Sequence, residues 1–225
     1  METYKKLDTL SNGAFCDKMG VSRETSDKLT VYLEVLTKWQ RRINLVGQGT
    51  MEDVWRRHFL DSAQLYNLID NQGGRLLDLG SGAGFPGLVL SIMGVPGVTL
   101  LEASQKKCSF LREVVRQTSS DAKVFNGRIE DYAEKQKADY LTARALAPLQ
   151  DLLALGYPLL TSKGKCLFLK GQSYEQELTL AEIRWIMELR VHPSKATNSI
   201  TERGASGLKA PGVLLEIRKL SPRYG

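Results

Sequence analysis

Leu76-Leu77-Asp78-Leu79-Gly80-Ser81-Gly82-Ala83-Gly84-Phe85-Pro86-Gly87 carries the fold of this chain: an apolar run ends in an acid, and four glycines then fall within eight residues. The leucine run closed by glycines reads as a buried strand entering a tight turn. Pro86 ahead of Leu88-Val89-Leu90 reads as the first turn of a helix. Glycine suits such a loop because the backbone takes positive φ and a ligand approaches with no Cβ in the way. The helix N-terminus adds free N–H groups, so the unit forms a cradle for a polar or anionic ligand above a strand end.

From residue 73 onward the pattern alternates. Strands are expected at residues 75–79, 98–102, 122–126, 139–143 and 165–170, with helices at 87–93, 106–117, 130–135 and 149–160. Such alternation specifies an α/β fold, a Rossmann-like, mostly parallel sheet with helices on both faces and ligands at the C-terminal strand ends. Residues 183–192 and 213–220 read as two successive strands with no helix between them, an antiparallel pair at the sheet edge. They are joined by a polar, Gly- and Ser-rich stretch containing Lys195, Arg203 and Lys209.

Before residue 73 the chain reads as helical, giving an extension (1–72) packed on a ligand-binding domain (73–225). Leu29, Leu33, Leu36, Trp39 and Ile43 recur at three- and four-residue steps behind a capping residue, Ser22, and this helix is expected to end near Asn44. Thr50-Met51-Glu52-Asp53 has capping-box spacing and is expected to open a second helix with Trp55, Phe59, Tyr66 and Ile69 on its apolar edge. Arg56-Arg57-His58-Phe59-Leu60-Asp61-Ser62 is polar for a packing helix. It reads either as a substrate-facing surface or as a set of ion pairs, Arg57 with Asp61 being the i, i+4 pair favoured on helix geometry.

Composition narrows the function classes. The 225 residues suffice for one well-buried domain with an appendage, and no apolar run approaches a membrane span. The start has no secretory pattern, so a cytoplasmic location is expected. Cys16, Cys108 and Cys166 are scattered and lack C-x-x-C spacing, and the chain has two histidines, so neither a disulfide framework nor a metal site is expected. The net charge of +6 is uneven: residues 163–225 hold eleven Lys/Arg against six Asp/Glu. A basic excess beside a ligand-binding domain fits a nucleic-acid partner as well as a solvated surface.

Gly82-Ala83-Gly84-Phe85-Pro86-Gly87 satisfies the dinucleotide pattern G-x-G-x-x-G, but the glycine coming directly off the strand is Gly80. The loop is therefore Asp78-x-Gly80-x-Gly82-x-Gly84, and an acid there suits a ligand with a nearby cationic end, such as the ammonium of S-adenosylmethionine, better than a pyrophosphate. Glu102 closes the second strand, where a carboxylate accepts from ribose hydroxyls. Ile129 and Glu130 follow the third strand, placed either to flank an adenine or, for Glu130, to complement a helix dipole. Arg144 ends the fourth strand, with two readings: holding the cofactor or gripping a substrate near the transferred group.

These residues belong to a longer set. Lys38-Trp39-Gln40-Arg41-Arg42-Ile43-Asn44-Leu45, Arg57-His58-Phe59-Leu60-Asp61-Ser62, the glycine loop, Lys107-Cys108-Ser109-Phe110-Leu111-Arg112-Glu113, Thr142-Ala143-Arg144-Ala145 and Leu169-Lys170-Gly171 occur in order. In this combination the chain resembles the RsmG (GidB) family of bacterial small-subunit rRNA guanine-N7 methyltransferases, within the class I superfamily. The resemblance implies S-adenosylmethionine as cofactor, with contacts from Gly80, Phe85, Glu102, Ala103, Ser104, Ile129, Glu130 and Arg144. It also implies methylation of a guanosine in the 530 loop of 16S rRNA, free or in a small ribosomal subunit, by a monomer. The stretch from Ser194 to Pro211 matches no family motif. Guanine N7 carries a lone pair and no proton, so a site without a general base fits this acceptor. A small-molecule methyltransferase and an RNA-binding module with a vestigial cofactor site are the alternatives.

Gly82→Asp is expected to abolish the rise in melting temperature that S-adenosylmethionine gives the wild type, while the chain stays folded by circular dichroism.

Overall fold

The computed structural model describes residues 9–69, 73–132, 136–196 and 212–224. Its strands are β1 (Leu76–Leu79), β2 (Val98–Glu102), β3 (Lys123–Asn126), β4 (Ala138–Arg144), β5 (Leu160–Lys170), β6 (Trp185–Pro193) and β7 (Val213–Pro222). They form one sheet in the order β3-β2-β1-β4-β5-β7-β6. The first five are parallel to their neighbours, and β7 runs antiparallel to both β5 and β6. The last two strands are thus the expected antiparallel pair, but β7 inserts between β5 and β6 and leaves β6 at the edge.

The helices are α1 (Asn12–Met19), α2 (Arg23–Gln40), α3 (Asp61–Ala63), α4 (Gly87–Ile92), α5 (Gln105–Thr118), α6 (Leu149–Gly156) and α7 (Tyr174–Arg184). Helix α7 is absent from the sequence-based expectation, which has no helix after residue 160. It buries a single residue, Ala181, so no apolar stripe announces it. The helix expected over 149–160 stops at Gly156. Pro158 lies in the 3₁₀ turn Tyr157–Leu159, and β5 begins five residues earlier than expected. Of the helix expected at 130–135, Glu130–Tyr132 is a 3₁₀ turn and residues 133–135 lie outside the described residues. The stretch 197–211, with Arg203 and Lys209, also lies outside them.

Helix α2 has its expected cap, the Ser22 side chain accepting from the Thr25 N–H, but it ends at Gln40. The Gln40 amide then takes over the turn: Oε1 accepts from the N–H groups of Leu45 and Val46 at 2.9 and 3.1 Å. The capping box at Thr50 does not form. Residues Gln48–Asp53 make a 3₁₀ stretch leading into a π-helical turn, Trp55–Leu60, and α3. The Thr50 hydroxyl donates instead to the Gly47 carbonyl at 2.6 Å, and the Asp53 carboxylate accepts from Leu10 N and Arg56 Nε, both at 2.9 Å.

Helix α4 explains why these N-terminal elements are needed. All six of its residues are buried, so the sheet covers one side and α2 and α3 must cover the other. Phe15, Leu29, Tyr32, Leu36 and Phe59 therefore share one core with α4, α5 and the sheet residues Leu76, Leu100, Leu167 and Leu214. On the opposite face Leu77, Leu79, Leu141 and Phe168 pack with α6.

Tyr32 is the peg of this arrangement. Fully buried, it donates its hydroxyl to the Ala83 carbonyl of the glycine loop and stacks on Phe85 at 5.2 Å. Tyr32→Phe keeps the stack and strands a buried carbonyl, so urea unfolding is expected to show a loss of about 1–3 kcal/mol.

Candidate active site

The glycine loop sits above the end of β1 with Gly80, Gly82 and Gly84 at φ 61°, 56° and 90°. The three differ in what a side chain would meet. A Cβ at Gly80 would lie 2.4 Å from Leu146 Cδ1, and one at Gly84 would lie 2.8 Å from the Tyr32 hydroxyl. At Gly82 the nearest atom is the Gly80 carbonyl oxygen at 3.8 Å, so the open side of the cradle is there. Gly87 serves close packing: a Cβ would come within 2.6 Å of Asp78 Cβ, which places the start of α4 directly on the acid.

Asp78 is completely buried. Its Oδ1 accepts from the Thr142 hydroxyl at 2.7 Å, whereas Oδ2 has no hydrogen-bond partner among the described residues. Burial pushes its carboxyl up to about 6, and the Thr142 bond is the foremost influence holding it down. At neutral pH a poorly screened negative charge therefore lies beneath the loop.

Glu102 locks the loop to β2. Its Oε2 accepts from the Gly82 N–H at 2.8 Å and its Oε1 from the Ser104 N–H at 2.7 Å. Each oxygen keeps a second lone pair for a ligand hydroxyl. Ala103 accepts from Asn126 Nδ2 at 3.1 Å, and Ser104 heads α5. Ile129 packs in the second core with Leu101, and Glu130 is exposed at the start of its 3₁₀ turn. The Phe85 ring is only 3 % exposed, so its contacts are with protein: Tyr32 and His58 stack on it, Phe59 meets it edge-on and the Arg144 guanidinium lies 5.0 Å from its centre. The Phe85 ring is therefore not part of the loop's open side.

Arg144 closes the other side of the mouth. Its Nη1 donates to the Arg57 carbonyl at 3.1 Å and lies 3.8 Å from Asp61 Oδ2; no other hydrogen bond of its guanidinium occurs among the described residues. The expected Arg57–Asp61 side-chain pair is therefore replaced by an Arg144–Asp61 contact. The π-helical winding accounts for this, since the Asp61 N–H reaches back five residues to Arg56. Burial lowers Arg144 from its ordinary value, and Asp61 opposes that shift. Ala145 follows at φ 51°, a left-handed conformation for a non-glycine residue, and turns the chain so that Leu146 covers Gly80.

Three participants carried no signal of their role in the sequence. Thr142 is one residue of a buried strand. Ser194 meets Asp61 across 133 residues, and Gln64 joins them: Asp61 Oδ1 accepts from Gln64 Nε2 at 2.9 Å and from Ser194 Oγ at 3.0 Å, and Gln64 Oε1 accepts from Lys195 N at 2.9 Å. His58 was visible as part of a polar helix segment, but its state was not. The Thr50 hydroxyl spends its hydrogen on Gly47, so the 2.7 Å contact requires His58 Nε2 to donate, leaving Nδ1 bare and without a partner. Burial first, then Arg144 and Arg57, lower the imidazole to about 3. It is a neutral ring.

The model of the rRNA small subunit methyltransferase G family matches residues 25–203. The chain belongs to this family. Ribosomal RNA small subunit methyltransferase G of Paramagnetospirillum magneticum is 50% identical over 91% of this chain and 93% of its own length. That of Rhodospirillum centenum is 47% identical over 91% and 88%. Among solved structures, M. jannaschii TYW2 in complex with AdoMet is similar at 16% identity, TM-score 0.53, over 79% of each chain. A predicted O-methyltransferase from Agrobacterium tumefaciens is similar at 20% identity, TM-score 0.51, over 71% of this chain and 78% of that one. At such identities these two speak for the fold alone, the class I methyltransferase sheet. The family's mouth, as this chain builds it, has one acid below the loop, one beside it and one arginine across from them.

His58 gives this mouth a pH signature. Its folded value is depressed, so the unfolded chain takes up a proton below about 6.5 that the native ring refuses, and stability is lost as pH falls. Relative to His58→Asn, wild-type stability is expected to fall by about 1.4 kcal/mol per unit between pH 6.5 and 4.5, read by urea unfolding.

Proposed function

We propose that this protein, as a cytoplasmic monomer, transfers the methyl group of S-adenosylmethionine to N7 of a guanosine in the 530 loop of 16S rRNA, presented in a small ribosomal subunit. The single observation that carries the cofactor is Asp78: a wholly buried carboxylate with an unpartnered oxygen, placed under a loop that is open only at Gly82. That charge attracts a cation laid on the loop and disfavours a pyrophosphate there. Glu102 has the free lone pairs to take both ribose hydroxyls, Ala103 and Ser104 edge the same pocket, and Ile129 with Glu130 borders the adenine end. Gly80 and Gly82 let the backbone approach, as does the main chain of Phe85.

Bound S-adenosylmethionine supplies an electrophilic methyl on a sulfonium, which the N7 lone pair takes without loss of a proton. The residues present suit that demand. His58 stays neutral, Asp78 is buried with one oxygen held by Thr142, and no residue at the mouth needs to act as a base. Arg144 has guanidinium N–H groups without hydrogen-bond partners among the described residues and lies beside the loop, over the Phe85 ring. It is the residue to donate to guanine O6, which leaves the N7 lone pair free for the methyl, and to hold the base in line. Asp61 and the Arg57 carbonyl fix its orientation. The division into an extension (1–72) and a cofactor-binding domain (73–225) follows the same reading, the extension holding the loop and Arg144 from one side.

The test offers labelled S-adenosylmethionine with small subunits that lack the modification, followed by chemical cleavage of the rRNA at N7-methylguanosine. Label and a single cleavage in 16S rRNA are expected. Arg144→Ala is expected to lower the transfer rate at least about a hundredfold with cofactor affinity changed much less. Label confined to small molecules, or none in RNA, overturns the assignment.

A further inference from the structure

The polar end of the sheet has a groove that the cofactor site does not use. A cavity of about 710 Å3 lies over β5, β7 and β6, bounded on the N-terminal side by Asn67 and Leu68 and lined by Lys163, Lys165, Arg190, His192 and Arg218. Strand register places it on the same face as Asp78 and Arg144. Leu100, Asp78, Thr142, Leu167, Glu216 and Arg190 pair successively across the sheet in one row, and Arg144, Leu169, Leu214 and His192 form another. The face covered by α4 at one end is therefore lined by cations at the other, beyond the buried Leu167, Leu169 and Leu214. From the level of Arg144 to that of Lys165, paired with Tyr140, is four residues, about 13 Å.

The acids of the groove are already engaged. Glu216 accepts from Arg218 through one oxygen and lies 3.0 Å from His192 Nε2 through the other. Asp139 accepts from Arg75 N and the Thr161 hydroxyl. Lys163 and Arg190, both exposed, have no acidic partner among the described residues, and Lys165 lies over the Tyr140 ring at 5.3 Å. Lys163 and Lys165 are two apart on one strand, which sets their backbones roughly 7 Å apart along it.

We infer that this groove binds the phosphodiester backbone of the rRNA substrate, at a second contact beside the methyl-transfer mouth. The inference rests on the rRNA reading above. Between Arg144 and His192 the row passes through the buried Leu169 and Leu214, so mouth and groove are two separate patches on one face, close enough for a strand whose base enters the mouth to reach the cationic one. An acidic protein segment is the competing occupant, but a row of cations at strand spacing favours a repeating anion.

The experiment compares wild type, Lys163→Glu/Arg190→Glu and a control of equal charge change, Lys18→Glu/Lys28→Glu. Binding is measured to protein-free 16S rRNA, whose phosphates such a groove meets whatever the sequence, and to unmodified small subunits, between about 50 and 200 mM salt. The groove variant is expected to lose roughly tenfold or more in affinity for both, and its log–log salt slope to shrink by about two, about one per cation removed. The control keeps most of both, and the cofactor-induced thermal shift of all three is unchanged, which certifies folding. Unchanged rRNA affinity and slope in the groove variant, or no wild-type binding to free rRNA at low salt, overturns the groove. A loss confined to whole subunits, with free-rRNA binding intact, assigns the groove to a protein surface and overturns it equally. Methyl transfer to the subunits is scored separately in wild type, so failure of the enzymatic assignment is distinguished from failure of the groove.

Discussion

Helix α4 has no wet side, and the rest of the molecule is arranged around that constraint. A six-residue helix buried throughout cannot end a domain; it must be roofed. The roof is α2 and α3, and its attachment point is the glycine loop itself, through Tyr32 to Ala83 and Phe85. Folding of the N-terminal helices and shaping of the ligand loop are thus coupled by packing: the aromatic group of Tyr32, His58, Phe59 and Phe85 fixes the loop from the side opposite Glu102.

The same burial sets the electrostatics. Enclosing Asp78 disfavours its charge, and the cost falls directly beneath the glycine loop. Arg144 is enclosed as well, stabilised by Asp61 and a backbone carbonyl, and held where its remaining donors face outward. His58, a neutral ring, stacks on the same Phe85 that Arg144 lies over. The mouth therefore has fixed charges and little proton traffic, which is the arrangement suited to a lone-pair nucleophile.

Much of this was legible from residue types and spacing. The β1–loop–α4 unit, the five parallel strands, the final antiparallel pair and Glu102 all have local signals, because a glycine cluster or a β-branched run means much the same in any context. What escaped has a common cause. Helix α7 buries only Ala181, so its sequence has no periodicity to read. The turn at Thr50 and the π-helical stretch after it replaced a well-spaced capping box because Thr50 found Gly47 and His58, partners fixed by tertiary structure. Asp61 had a plausible partner four residues away and took Arg144 and Ser194 instead. Tyr32 falls within the apolar stripe of α2, three residues after Leu29 and four before Leu36, but nothing local marks it as the residue whose hydroxyl joins the two halves of the molecule. Long-range polar pairing leaves no mark on local sequence.

Ser194 and Gly212 are joined by a 3.0 Å backbone hydrogen bond, with Ser194 anchored on Asp61 beside the mouth. One serine thus serves two masters: its backbone adds a rung beyond the last β6–β7 pair, and its side chain holds the acid that orients Arg144. The end of the sheet hairpin and the mouth share that anchor, so a change of the Ser194 side chain reaches the arginine without breaking the ladder.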